Sequence, residues 1–179
     1  TNWFRCPIFI NNFFAHLYFI KHKYIFLQRR IFVKIFIQYY MPFILNIDTA
    51  MESAHVSVAK DGILLQEFIN ATTKDHSSFL QVAIKNILIS LQIDIQQIDA
   101  ISVTQGPGSY TGLRVGMAAA KGLCYAINKP LITINTLEAL AASALNDFGT
   151  NNSSVLLCPM IDARRMEVYT AIYDSALNI

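Results

Sequence analysis

From Met41 onward, short apolar runs alternate with longer amphipathic stretches, and their spacing predicts a mixed α/β body. Phe43-Ile44-Leu45-Asn46-Ile47 is an apolar run ending at Asp48-Thr49, the pattern of a buried strand. Residues 54–59 alternate, Asp61-Gly62 gives a hairpin signal and residues 63–69 return, which makes a three-stranded meander. Residues 75–91 read as a helix that Asp75 or Ser77 can cap. Phe79, Leu80, Ala83, Ile84, Ile87, Leu88 and Leu91 fill one broad face of it, while Val82 and Ile89 add a second strip. Such a helix is either deeply packed or shared between its own sheet and a partner.

Residues 98–104 form the next predicted strand, which runs into a Gly-Pro-Gly-Ser-Tyr-Thr-Gly loop at 106–112 and then a helix to about Ile127. Lys129-Pro130 stops that helix, residues 131–134 make a strand and residues 136–147 a helix. A polar linker at 149–154 precedes two further strands, 155–161 and 167–173, joined by a tight turn near Asp162-Ala163-Arg164-Arg165. The expected organisation is one α/β lobe over 41–148 and the start of a second over 149–179.

Residues 1–40 differ in texture, because Phe, Ile, Tyr, Asn and Lys supply 25 of the 40 and Gly, Ser, Asp and Glu are missing. AT-rich codons specify those five, and the first Met is Met41, so a non-native upstream extension is expected. The rival reading is a membrane segment, yet the uncharged run 7–20 has 14 residues, includes His16 and falls short of the ~20 a span needs. It also lacks the small-residue cleavage site of a signal peptide. Peripheral attachment by a basic, aromatic helix is the remaining option.

Charge follows the same division. The chain has 14 Lys+Arg and 12 Asp+Glu, but six of the basic residues and none of the acidic ones precede Met41, which leaves the body at −4. An acidic body has no electrostatic case for gripping a phosphate backbone, so a nucleic-acid role would be indirect. Cys6, Cys124 and Cys158 include no Cys-x-x-Cys pair, which argues against a disulfide framework or a Cys-type zinc site and favours a reducing compartment.

Candidate chemistry centres on the loop with Gly106, Gly108, Ser109 and Gly112. It joins a strand to a helix N-terminus, where free N–H groups favour an anion, though it lacks the Lys-Ser/Thr of a phosphate loop. It is therefore either a tight turn capped by Ser109 or Thr111, or a ligand cradle. Small residues at Gly112, Gly116 and Ala119 allow the next helix to approach either the sheet or another subunit. Asp48 beside Thr49 ends the first strand, where a catalytic or metal-binding carboxylate is often found, with Glu52 as its one candidate companion. His55 and His76 stand alone, and neither a Ser/His/Asp order nor a metal pair can be assembled. Asp162-Ala163-Arg164 reads as a turn with a local ion pair.

Three runs together carry a resemblance: 44–50 (Ile-Leu-Asn-Ile-Asp-Thr-Ala), 106–116 (Gly-Pro-Gly-Ser-Tyr-Thr-Gly-Leu-Arg-Val-Gly), and Ile161-Asp162-Ala163-Arg164 with Glu167-Val168-Tyr169. In order and spacing the chain from Met41 to about Tyr173 resembles the bacterial tRNA threonylcarbamoyladenosine dimerisation subunits, the TsaB (YeaZ) family. The resemblance implies an actin-like/Hsp70-like ATPase fold (ASKHA) with a complete first lobe, and a second lobe only begun because family members are longer at the C-terminus. It implies a cytoplasmic, non-catalytic scaffold that activates a TsaD-type subunit, which modifies the tRNA adenosine beside the anticodon. A TsaE-type ATPase is a further implied partner, with a homodimer when alone, tRNA contact only through the complex, and no cofactor or metal. Where the catalytic relative has its His-x-x-x-His, this chain has Thr136 and Leu140, a pair unsuited to a metal. The implied interface lies on two helices, at Phe79, Leu80, Ala83, Ile84 and Ile87, with Leu113, Gly116, Met117, Ala120 and Lys121. Asp48, Thr49, Gly106, Gly108, Ser109 and Gly112 would form a vestigial anion or nucleotide loop. The rivals are an ATP-dependent kinase or metallopeptidase-like hydrolase of the same fold, and a membrane protein anchored by 1–40.

Overall fold

The structure is a computed structural model that describes residues 41–70, 76–148 and 155–179. Expectations for residues 1–40, the 149–154 linker and the first cap at Asp75 lie outside those residues. Strands β1 (Phe43–Asp48), β2 (Ala54–Lys60) and β3 (Ile63–Asn70) form the antiparallel meander. Asp61 (φ 48°) and Gly62 (φ 80°) turn between β2 and β3 in the left-handed region that the Asp-Gly pair supplies. Strands β4 (Ala100–Gly106) and β5 (Leu131–Asn135) then add in parallel, and the sheet order is β3-β2-β1-β4-β5. A meander followed by parallel strands joined through helices is the mixed α/β order that the sequence pattern predicts.

One face of the sheet is apolar. Leu45, Ile47, Val56, Val58, Ile101 and Val103 meet helices α1 (His76–Leu91) and α2 (Tyr110–Ile127) in a continuous core. Helix α1 lies over β2 and β3 and touches α2, which covers β4 and β1. Leu80, Ala83, Ile84 and Ile87 of α1 and Ala120 and Ile127 of α2 point into that core.

The opposite face carries a buried polar row beside the apolar pair Ile44 and Ala59. Asn46 pairs across the sheet with Ser57 on one side and Ser102 on the other. Its Nδ2 donates to Ser57 Oγ (3.1 Å), and Ser102 Oγ donates to its Oδ1 (2.6 Å), all three side chains being buried. This chain of bonds satisfies groups that would otherwise be costly inside a protein.

Helix α3 (Thr136–Phe148) packs on β4 and β5. Its Leu137 and Ala141 join Ile161 and Tyr173 in a second, smaller core. The two-stranded hairpin of β6 (Met160–Arg164) and β7 (Glu167–Thr170) completes the described residues.

Several boundaries move relative to the sequence reading, β7 ending at Thr170 rather than at 173. Strand β4 starts at Ala100 because Asp94 and Gln97 form a capping box around a 3₁₀ turn at Ile95–Gln97. Strand β6 starts at Met160, not 155, because Pro159 has no N–H for the ladder; its carbonyl accepts from Thr170 Oγ1 (2.9 Å), and Leu157 keeps one bridge to Tyr173. At the hairpin turn Asp162 accepts the Arg164 backbone N–H (2.7 Å), and Arg164, Arg165 and Met166 all take positive φ.

Candidate functional site

The glycine loop is filled by the protein itself. Strand β1 ends at Asp48, whose Oδ1 accepts from Thr104 Oγ1 (2.9 Å) and from the Ala50 N–H (3.0 Å). That carboxylate is buried and draws the following turn inward. Thr49 and Ala50 are thereby pressed against the loop: the Ser109 N–H donates to the Ala50 carbonyl (2.7 Å), and Thr49 Oγ1 donates to the Gly112 carbonyl (2.7 Å). A Cβ at Gly108, Gly112 or Gly116 would overlap the Ala50 carbonyl oxygen, the Thr49 carbonyl oxygen and Thr49 Oγ1 respectively. The glycines are needed for this backbone-on-backbone contact.

Asp48, Thr49, Gly106, Gly108, Ser109 and Gly112 are therefore brought together, but the cradle they form holds Thr49-Ala50. Ser109 is the N-cap of α2, its Oγ accepting the Gly112 N–H (3.3 Å). Of the two readings of the loop, the geometry favours the tight capped turn. Glu52 is exposed, while Asp48 is committed to Thr104 and Ala50.

The ten residues assigned to a partner surface divide. Leu80, Ala83, Ile84, Ile87, Gly116 and Ala120 are buried within this chain, so for them the expectation is corrected: they are core. The physical reason is that α1 and α2 are covered on two sides, by the sheet and by each other, so a wide apolar arc is used up internally. Phe79, Leu113 and Met117 are half-buried and Lys121 is exposed.

A surface remains, carried chiefly by α2. Tyr110, Arg114, Met117, Ala118, Lys121 and Tyr125 lie along the helix side turned away from Gly112, Gly116 and Ala120, within an arc of about 100° at 3.6 residues per turn. Tyr110 is 68 % exposed and Tyr125 91 %, high values for aromatic residues. The Arg114 guanidinium sits over the Tyr110 ring, 4.3 Å from its centroid. Gln105, Leu113 and the first five residues of this stripe line an open groove of about 410 Å³. On α1, Val82 and Ile89 are exposed, as their separate strip in the sequence indicated. Of this stripe, Met117 and Lys121 were among the residues assigned to the partner surface.

At the start of α3, Asn135 Oδ1 accepts the N–H groups of Leu137 (2.8 Å) and Glu138 (3.5 Å). Thr136 is buried and its hydroxyl has no hydrogen-bond partner among the described residues; Leu140 is half-buried.

One cluster was not anticipated. His55 on β2 bonds through Nδ1 to Glu67 Oε1 on β3 (3.0 Å) and through Nε2 to Ser53 Oγ (2.8 Å). No local signal points to it, because the acid lies twelve positions away on the neighbouring strand.

Residues 64–178 match the family model described as TsaD: tRNA N6-adenosine threonylcarbamoyltransferase. The tRNA threonylcarbamoyladenosine biosynthesis protein TsaB of Bacillus subtilis is 34 % identical over 131 residues, covering 73 % of this chain and 55 % of that protein. The Escherichia coli protein of the same name is 33 % identical, covering 75 % of this chain and 56 % of its own length. Among solved structures, YeaZ from Pseudomonas aeruginosa superposes with a TM-score of 0.67 at 28 % identity, over 75 % of this chain and 61 % of that one. The chain thus spans about half the length of the curated relatives it matches.

Proposed function

We propose a partner-subunit role for this chain, which belongs to the family described as TsaD: tRNA N6-adenosine threonylcarbamoyltransferase and, within it, resembles the proteins named TsaB and YeaZ. In this reading it does not transfer the threonylcarbamoyl group. It docks on a TsaD-type subunit through α2 and supports modification of the tRNA adenosine, meeting tRNA only through the complex, with a TsaE-type ATPase as a further partner. Self-pairing through the same stripe is the expected state when the catalytic subunit is absent. A cytoplasmic location belongs to the same reading; no helix among the described residues is long and apolar enough to cross a membrane. The division into a first lobe at 41–148 and the opening of a second at 149–179 is part of it as well.

The observation that carries the proposal is the stripe of exposed Tyr110, Arg114, Lys121 and Tyr125 flanking the half-buried Met117, on the side of α2 opposite Gly112, Gly116 and Ala120. Tyr and Arg are the residues on which binding energy concentrates, and a rigid helix loses little freedom on docking. Arg114 and Lys121 call for carboxylates at the rim of the partner's surface. The same-fold kinase or hydrolase finds less support, because the loop expected to hold an anion is occupied by Thr49-Ala50.

The test is co-purification with a TsaD-type transferase, followed by measurement of threonylcarbamoyladenosine. Lys121→Glu and Arg114→Glu, both at exposed positions, should each weaken association at least about tenfold, the order of a lost hot spot, without lowering the melting temperature. Unchanged association in both variants would remove α2 as the docking surface. Calorimetry with ATP and with Zn²⁺ tests the enzymatic rival, which requires one of them to bind to the isolated chain.

A further inference from the structure

We infer that Ser53, His55 and Glu67 form a nucleophilic site able to accept an acyl group, separate from the α2 surface. The inference starts from the hydrogen-bond chemistry of the imidazole. Among the described residues Glu67 Oε1 lies 3.0 Å from His55 Nδ1 and Ser53 Oγ lies 2.8 Å from Nε2. An ionised carboxylate only accepts hydrogen bonds, so Nδ1 carries the ring proton. In the neutral ring Nε2 is then a lone-pair base, and the Ser53 hydroxyl donates to it. Nucleophile, base and orienting acid follow one another within hydrogen-bond reach, which is the geometric criterion for an activated serine.

The fold holds this arrangement in place. His55 and Glu67 sit on paired strands and share the face of the sheet that carries the polar row, His55 facing Asp48 on one side and Ile69 on the other. Ser53 closes the turn from β1, and that turn is anchored by Asp48 on the Ala50 N–H and by the Ala50 carbonyl on Ser109. The side chains of His55 and Glu67 are 19 % and 10 % exposed, so the acid is largely shielded while the base keeps access to solvent. A structural ion pair between strands needs no serine on the far nitrogen.

The step balances without outside electrons. Ser53 Oγ bonds to the acyl carbon as the bond to the leaving oxygen breaks; the hydroxyl proton passes to Nε2 and then to the departing alcohol. Water enters by the same route in reverse, releasing the acid and restoring Ser53. General-base help is worth about 10²–10⁴ in rate, enough for activated esters with good leaving groups but not for peptide amides. Activated acyl donors are therefore the substrate class.

The full chain is treated with a biotinylated fluorophosphonate and with p-nitrophenyl acetate, and adducts are located by peptide mass spectrometry. Modification is expected at Ser53, abolished in Ser53→Ala and at least about a hundredfold slower in His55→Gln. Glu67 acts as a positioning residue. Glu67→Gln, whose amide can donate to Nδ1 and impose the other tautomer, should slow labelling at least about tenfold with an unchanged melting temperature. Absence of a Ser53 adduct while a control serine hydrolase is labelled would overturn the assignment. So would labelling that proceeds at the wild-type rate in His55→Gln; the result with unsubstituted protein decides even if that variant does not fold.

Discussion

Replacing Gly112 with alanine sets two opposing effects against each other. Gly112 lies in the first turn of α2, and in a helix alanine is favoured over glycine by about 1 kcal/mol at an interior position. Helical preference alone therefore predicts stabilisation. The space for the new methyl, however, is taken by the Thr49 carbonyl oxygen, which is backbone and has no rotamer through which to withdraw. Forcing a methyl into a packed site costs about 1–3 kcal/mol. If α2 yields by moving outward, the buried bond from Thr49 Oγ1 to the Gly112 carbonyl is lost, with a penalty of about 1–3 kcal/mol for stranded polar groups. Less the helical gain of about 1 kcal/mol, the net loss runs from about zero where one cost is met to about 5 kcal/mol where both are, and at about 2–4 °C per kcal/mol for a chain of this size Gly112→Ala melts no higher than the parent chain.

Gly122, in the same helix, is the internal control. It is exposed, and a Cβ there meets no described atom within 4 Å. Gly122→Ala should gain up to about 1 kcal/mol and raise the melting point. Circular dichroism melts at 222 nm, supported by urea titrations with unchanged slopes, measure both. If Gly112→Ala melts as high as Gly122→Ala, the close seating of Thr49-Ala50 in the glycine loop is wrong, and the loop regains its standing as an open cradle.

Two further outcomes follow from burial. Desolvation, reinforced by the nearby Glu138 carboxylate, raises the Tyr173 phenol above its ordinary value of 10.0. The folded state thus holds that proton more tightly than the unfolded one: stability from this group is full below about pH 10 and is lost as pH rises through the raised value. Thermal melts between pH 8 and 11.5 should show the decline, and Tyr173→Phe should lessen it; an equal decline in both proteins would exclude Tyr173 as its source. Burial likewise raises the Cys124 thiol, the backbone hydrogen bond from Ile101 only partly opposing it. Iodoacetamide at pH 8 should accordingly modify the exposed Cys158 about tenfold faster than Cys124, and peptide mass spectrometry that finds equal rates would contradict this.

Much of the architecture could be read from residue spacing. Alternation in β2, the Asp61-Gly62 turn and the small-residue run of α2 each have a local cause, and each appears where the pattern indicated. The site was less legible. Leu80, Ala83, Ile84 and Ile87 have the spacing of a docking face, but periodicity cannot distinguish a partner's surface from α2 of the same chain. The purpose of the glycines was equally hidden, since nothing local to 106–112 says that Thr49-Ala50 will lie across them. His55 looked isolated because strand pairing, not sequence, brings Glu67 to it.

The bonded row of Ser57, Asn46 and Ser102 ties three strands at matching heights. Sliding any of these strands by one residue would turn its polar member to the greasy side and break at least one bond of the row. The trio therefore works as a notch-and-key gauge for chain alignment. Its positions should drift together over evolutionary time, with joint replacement by aliphatic residues tolerated where single exchanges are not, a non-additivity that a double-mutant cycle would expose.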